Sequence, residues 1–160
     1  MTGYRAWRPG TNRLFAVSRA YEWSPGVNHA ECSNLTIEPV DRLHGPHIPG
    51  IRCQCGIWSL QTLKEAVEYL HHPPYFVYGT ILAWGKMIEH ERGFRSEYGQ
   101  VTGLYDPRRI QTASFRYIRD FQTFLGAFTE TAKHLSKVYD VPLLDPPDDL
   151  LLADFSHELV

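Results

Sequence analysis

Cysteine is scarce in this sequence: Cys32, Cys53 and Cys55 are the only three among 160 residues. An odd count leaves one thiol over from any pairing, and neighbours two apart make a strained bridge, so the cysteines argue against a disulfide framework. Long apolar runs are missing too, because Gly79 and Thr80 interrupt the best stretch, residues 75–84, well short of the roughly 18 residues of a spanning helix. The opening MTGYRAWRPG lacks the apolar segment of a secretory signal. These absences give the expectation of a cytoplasmic protein that does not engage a membrane. Internal repeats and low-complexity runs are absent, as are a nucleotide-binding glycine fingerprint, a nucleophile elbow and an HExxH metal motif. The commonest enzyme signatures are therefore not available.

What is present is ordinary for a globular chain. Apolar residues make up 43% and charged residues 21%, and a chain of this length buries roughly 70% of its unfolded surface in one domain. The formal charge of -2 sets up no whole-molecule field for nucleic acid or anionic lipid. Its distribution is uneven. Residues 1–137 hold all 16 Lys and Arg against 12 Asp and Glu, a balance of +4, whereas the segment after Lys137 holds six acids and no base. Arginine outnumbers lysine twelve to four among 21 aromatic residues, which an arginine-favouring codon usage and an aromatic core explain as readily as a binding face does.

Punctuation divides the chain into a body, residues 1–140, and an acidic extension, residues 141–160. Residues 4–7 and 14–18 read as strands of a hairpin around Pro9-Gly10-Thr11-Asn12, and Ser24-Pro25-Gly26 marks another turn. From Cys32 to Arg52 prolines and glycines break every period, and about twenty residues without regular structure need something local to hold them. Residues 56–59 complete a short strand. Thr62 and Glu65 form a capping box opening a short helix with Leu63, Ala66, Val67 and Leu70 on one face, stopped by His71-His72-Pro73-Pro74. Residues 76–104 favour two or three antiparallel strands, with Gly93 and Gly99 as reversals. Ile118, Phe121, Leu125, Phe128, Ala132, Leu135 and Tyr139 then follow steps of three and four, predicting a long helix over about 114–139 whose seam lies across its own sheet. After Pro146-Pro147, Leu150, Leu151, Leu152 and Phe155 form a short amphipathic segment. The expected fold is α+β: an antiparallel, partly curved sheet, one short and one long helix, and a loop pinned by zinc.

The cysteines carry the clearest chemistry. Residues two apart in extended chain point to one side, so Cys53 and Cys55 can present two thiolates together, and the loop before them can return Cys32 and one imidazole. Such a set matches the tetrahedral preference of Zn2+, and four protein ligands leave no vacancy for a reacting water, which makes the site structural. The imidazole is His47, six residues before Cys53, with His44 as the alternative. Three buried thiols and solvent-facing histidines are the competing interpretation.

Cys53-Gln54-Cys55-Gly56-Ile57-Trp58, the preceding H-x-P stretch, Trp23-Ser24-Pro25-Gly26 and the run from Leu82 through Trp84-Gly85 and Glu89-His90-Glu91 to Gly93-Phe94-Arg95 resemble a family of small proteins from actinobacteria and their phages. The likeness spans about residues 3–105. It implies a Cys-His-Cys-Cys metal site on Cys32, one of His44 and His47, Cys53 and Cys55, and no particular biochemical activity.

Glu89, Glu91 and Arg95 form a second cluster. On a strand the two carboxylates share a face with His90 opposite, and beside arginine they can do acid–base work or hold a polar ligand, although alternating strand charges commonly serve solubility. Three functions follow in order of expectation. The first is a non-enzymatic binding or adaptor module with a structural zinc, engaging a protein partner or a second copy of itself through the long helix or the Leu151 and Phe155 segment. The second is a nucleic-acid-binding domain using Arg5, Arg8, Arg13 and Arg19, or Arg108, Arg109, Arg116 and Arg119. The third is an enzyme centred on Glu89, Glu91 and Arg95, for which no nucleophile with a positioned base is at hand.

Overall fold

The computed structural model describes residues 1–17, 21–32, 48–51, 53–69, 76–107, 110 and 121–147, with backbone only for 121–125. Among these residues the chain forms β1 (Thr2–Pro9), β2 (Leu14–Ala16), β3 (Glu22–Trp23), β4 (Val27–His29), β5 (Ile57–Leu60), α1 (Leu63–Tyr69), β6 (Val77–His90), β7 (Gly93–Tyr105), α2 (Phe121–Tyr139) and β8 (Leu143–Leu144). The architecture is α+β, with one mostly antiparallel sheet and two helices. None of these helices is long and apolar enough to cross a membrane.

Local chemistry accounts for most of these elements. The N-terminal hairpin pairs Trp7 with Ala16 and Pro9 with Leu14, and the Gly10 amide donates to the Arg13 carbonyl to close the turn. In the second turn the Asn28 side chain accepts from the Ser24 amide at 2.8 Å and donates to the Ser24 and Gly26 carbonyls, an arrangement that Gly26 permits at φ 95°. The capping box forms as the sequence reads: the Glu65 amide donates to Thr62 Oγ1, and Glu65 Oε2 accepts from the Thr62 amide. Leu63, Ala66 and Val67 are buried against Ala6, Tyr78 and Tyr105, while Leu70 and the His71–Pro74 stop lie outside the described residues.

The sheet is organised around β7. Strand β6 runs along one edge of it, and the other edge is shared end to end by β5, β4 and the parallel β8. Strand β1 pairs with β6 over six positions and touches β5 at Tyr4 and Leu60, so the ladders β1–β6, β6–β7, β7–β5 and β5–β1 form a closed circuit. Gly85, at φ 80°, sits where the β6–β7 register shifts between Trp84 and Met87. Gly93 begins β7 after the Glu91–Arg92 turn. Gly99 is not a reversal: it lies inside β7 opposite Ala83 and Asn28, where Ile57 packs close over its backbone.

Inside the circuit the core gathers Trp7, Leu14, Trp23, Ile57, Val77, Ile81, Phe94, Val101 and Leu104. Helix α2 closes it. Ala132, Leu135 and Tyr139 of the expected seam are buried, which places that face on its own sheet; the expected start of this helix before residue 121 lies outside the described residues. Tyr139 ties the end of α2 to the hairpin, its hydroxyl accepting from the Leu14 amide at 2.9 Å and donating to the Trp23 carbonyl. Asp140, at φ 51°, then turns the chain, the Val141 amide donating back to the Ser136 carbonyl. Leu143 and Leu144, read from sequence as the start of the acidic extension, instead add a parallel strand beside Leu104 and Tyr105. Residues 148–160, including Leu151 and Phe155, lie outside the described residues.

Candidate metal centre

The cysteines are brought together by the way β4 and β5 share the edge of β7. Strand β4 pairs with residues 98–100 of β7, and the Ala30 amide extends that ladder by donating to the Glu97 carbonyl. Strand β5 begins opposite Ser96. Among the described residues the pairing along this edge stops at Ala30 and resumes at Ile57, at adjacent points on β7. Cys32 stands just after the first point, Cys53 and Cys55 just before the second. Their three sulfurs lie within 4.8 Å of one another, with Cys32 Sγ and Cys53 Sγ 3.5 Å apart.

That spacing fits a tetrahedral metal centre. With zinc–sulfur bonds of about 2.3 Å, the edge of the tetrahedron between two sulfurs is about 3.8 Å. Small side-chain adjustments bring the three atoms onto such a frame. Cys53 and Cys55 are buried and Cys32 is half-buried, so an ion held there is largely shielded from water. His44 and His47, the expected imidazole ligands, lie outside the described residues. Both fall in sequence between Cys32 and Cys53.

The turn carrying the pair is tightly built. The Cys53 amide donates to the Gly50 carbonyl, and the Cys55 amide points at Cys53 Sγ at 3.4 Å, the kind of N–H···S contact that stabilises a thiolate. Gly56 follows at φ 118°; a Cβ there would press on Pro49 at 3.0 Å and on Arg95 at 3.1 Å, so the glycine of C-Q-C-G is required by both backbone conformation and space. The two thiols differ in acidity. Burial alone would raise Cys53, but hydrogen bonds from the Cys55 amide and thiol and from Cys32, with the Arg95 charge, hold it below the ordinary thiol value. Burial, reinforced by the Cys53 and Cys32 sulfurs, pushes Cys55 up to about 11 despite a hydrogen bond at the Gly50 backbone. Three sulfurs this close resist simultaneous ionisation unless a cation sits among them.

Arg95, expected beside Glu89 and Glu91, faces the cysteine turn instead. It is 3% exposed and donates through Nη1 to the carbonyls of Cys53 and of Cys55, the latter at 3.0 Å, and through Nε to His90 Nε2 at 2.8 Å. Its guanidinium lies 5.1 Å from the centre of the Trp58 ring, which stacks on His90 at 5.0 Å and donates from Nε1 to the Gln54 carbonyl. Glu89 ends β6 exposed, and Glu91 falls in the turn rather than on the strand, so the two do not share a strand face. Among the described residues neither contacts Arg95. Sequence reasoning picked out Arg95 but gave it the wrong neighbours, and it missed Trp58 as a cover for the turn.

The expected arginine surface is partly occupied. Arg5 lies over the Trp23 ring at 5.0 Å and donates to the Trp58 carbonyl, and Arg13 pairs with Glu22 at 2.8 Å. Arg8 is exposed and donates through Nε to the Ala16 carbonyl at 3.2 Å, while Arg19, Arg108, Arg109, Arg116 and Arg119 lie outside the described residues. No protein-family model, curated protein or solved structure matches this chain, so the geometry of the site itself carries the functional reading.

Proposed function

We propose that Cys32, Cys53, Cys55 and one imidazole, His47 or else His44, hold a structural Zn2+ that pins the segment between β4 and β5 against a curved sheet. The convergence of three sulfurs from sequence positions 21 apart, towards the two ends of that segment, carries this reading. Sulfur donors at this spacing favour zinc over hard cations, and a fully ligated ion performs no chemistry on a substrate. The ligand set is also the one implied by the resemblance to the actinobacterial and phage proteins. Purified protein is expected to contain one zinc per chain by elemental analysis, falling to a small fraction in Cys53→Ser. Zinc-free protein purified without chelator, or equal metal content in the variant, contradicts it.

The module is non-enzymatic in this reading and works by binding another protein, with a second copy of the chain as the case to test first. Its support is the outward face of β4, β7 and β6. There Val27, Gln100 and Leu82 form one cross-strand row and His29, Tyr98 and Trp84 the next, with the Tyr98 ring stacked on Trp84 and tilted against His29. Val27 and Leu82 are exposed. Light scattering of the full chain is expected to give twice the monomer mass, and Leu82→Glu or deletion of residues 148–160 to return it to one. A monomeric full chain rejects self-association. Oligonucleotide binding that weakens as salt rises favours the nucleic-acid alternative.

A further inference from the structure

Among the described residues Arg95 is a buried cation without a buried anion. Among the described residues no carboxylate lies within ion-pairing distance of it; its donors end on two carbonyls and one imidazole nitrogen, and Trp58 covers its open face. The two carbonyls and the ring nitrogen accept from three of the guanidinium's five N–H groups but do not neutralise its charge, and an uncompensated buried charge is strongly destabilising. The carbonyls it grips belong to Cys53 and Cys55. A divalent ion bound by the three thiolates and a neutral fourth ligand carries one net negative charge, a charge that the described residues around Arg95 do not supply.

We infer that Arg95 is the counter-charge of the metal centre: it positions the two cysteines of the C-Q-C turn through their carbonyls and balances the net negative charge of the trithiolate complex. The inference rests on the metal reading above and extends it by assigning a role to a residue that does not ligate. Groups of this kind, hydrogen-bonded behind the ligands, typically contribute 10–100-fold to metal affinity. The arrangement also explains why the arginine is on β7. Trp58, Arg95 and Ile88 are direct cross-strand partners, so the ladder that fixes where β5 begins also fixes where the guanidinium meets the turn.

Co2+ titration of the full-length protein at fixed pH tests this, read by the sulfur-to-cobalt charge-transfer absorption. Arg95→Gln is expected to raise the apparent Kd by about 10–100-fold, and Arg95→Lys, which keeps the charge but not the fork, to recover most of that loss. A second pair of variants leaves Arg95 in place. His90 is exposed and accepts from Arg95 Nε. His90→Glu supplies a competing anion, whereas His90→Gln keeps a neutral acceptor and sets the baseline, so His90→Glu is expected to bind Co2+ more weakly than His90→Gln. If Arg95→Gln does not fold, the His90 pair decides alone. Wild-type protein that gives no charge-transfer band removes the metal reading and this inference together. A wild-type band with equal Kd in His90→Glu and His90→Gln, or equal losses in Arg95→Gln and Arg95→Lys, overturns the counter-charge role and leaves the metal site standing.

Discussion

The two ends of β7 are held by different chemistry. At the Leu104–Tyr105 end the strand lies between β6 and β8 beneath α2, and the side chains meeting there are Trp7, Val77, Leu104, Leu135 and Tyr139. At the Phe94–Ser96 end the outward side of the strand meets three sulfurs, a guanidinium, an indole and an imidazole. The first end is stabilised by area removed from water, which needs no ligand. The second sets polar and ionisable groups close together under cover, and such a cluster is stable only when every charge and hydrogen-bonding group is answered. One strand thus joins a self-sufficient core to a cluster of three thiols that could hold an ion.

The largest effect that separates the ends is expected from Leu135→Ala. The side chain is fully buried, and its truncation should cost about 2–5 kcal/mol in chemical denaturation. Metal content should not change; a variant that also loses zinc would show that the ends are not independent. Removing zinc with a chelator is the reverse perturbation. Releasing the clip between residues 32 and 53 should cost about 3 kcal/mol by loop-closure entropy, with hydrogen-exchange protection lost first around Cys53–Ile57 and retained at Leu104. Protection lost uniformly would contradict the division.

Opposite responses to pH sharpen the comparison further. Burial raises the phenols of Tyr105, to about 12, and of Tyr78 and Tyr139, all at the core end. Because these folded values exceed the unfolded one, their contribution is complete below about pH 10 and is lost as pH rises through the folded values. At the cysteine end protons compete with the ion for thiolates, so metal affinity falls on acidification. Thermal melts with tyrosinate absorbance should therefore show a decline above pH 10, and metal-release titrations a loss towards acid. Zinc lost on the alkaline side together with the melting decline would merge the two transitions. The smallest expected effect is Thr62→Ala, which removes the α1 cap and should cost about 1 kcal/mol while leaving both ends of β7 intact; a changed zinc content would tie α1 to the site.

The same contrast sets what could be read from the sequence. The core end was legible because its signals are local or periodic: the Thr62–Glu65 box, the steps from Phe128 to Tyr139, and the turn residues around Gly10 and Gly26 each act within a few positions. The cysteine set was legible as chemistry, although the structure brings Cys53 and Cys55 together just after the Gly50–Cys53 turn and not in the extended strand that the spacing suggests. Its surroundings were not. That Arg95 points to the carbonyls of Cys53 and Cys55 rather than to Glu89 and Glu91 depends on β5 pairing Trp58 with Arg95, a non-local register that composition does not encode. Gly99 was misread as a turn for a related reason, because a glycine demanded by close packing inside a sheet looks the same in sequence as one demanded by a reversal. Leu143 and Leu144 join the sheet despite nearby prolines, pairing in parallel with Leu104 and Tyr105, a long-range partnership that local signals do not show.

X-ray absorption at the zinc edge of the purified full-length protein tests the central claim most directly. Three sulfurs at about 2.3 Å and one nitrogen at about 2.0–2.1 Å are the predicted shell. A shell of oxygen and nitrogen alone, or one with a single sulfur, would contradict it.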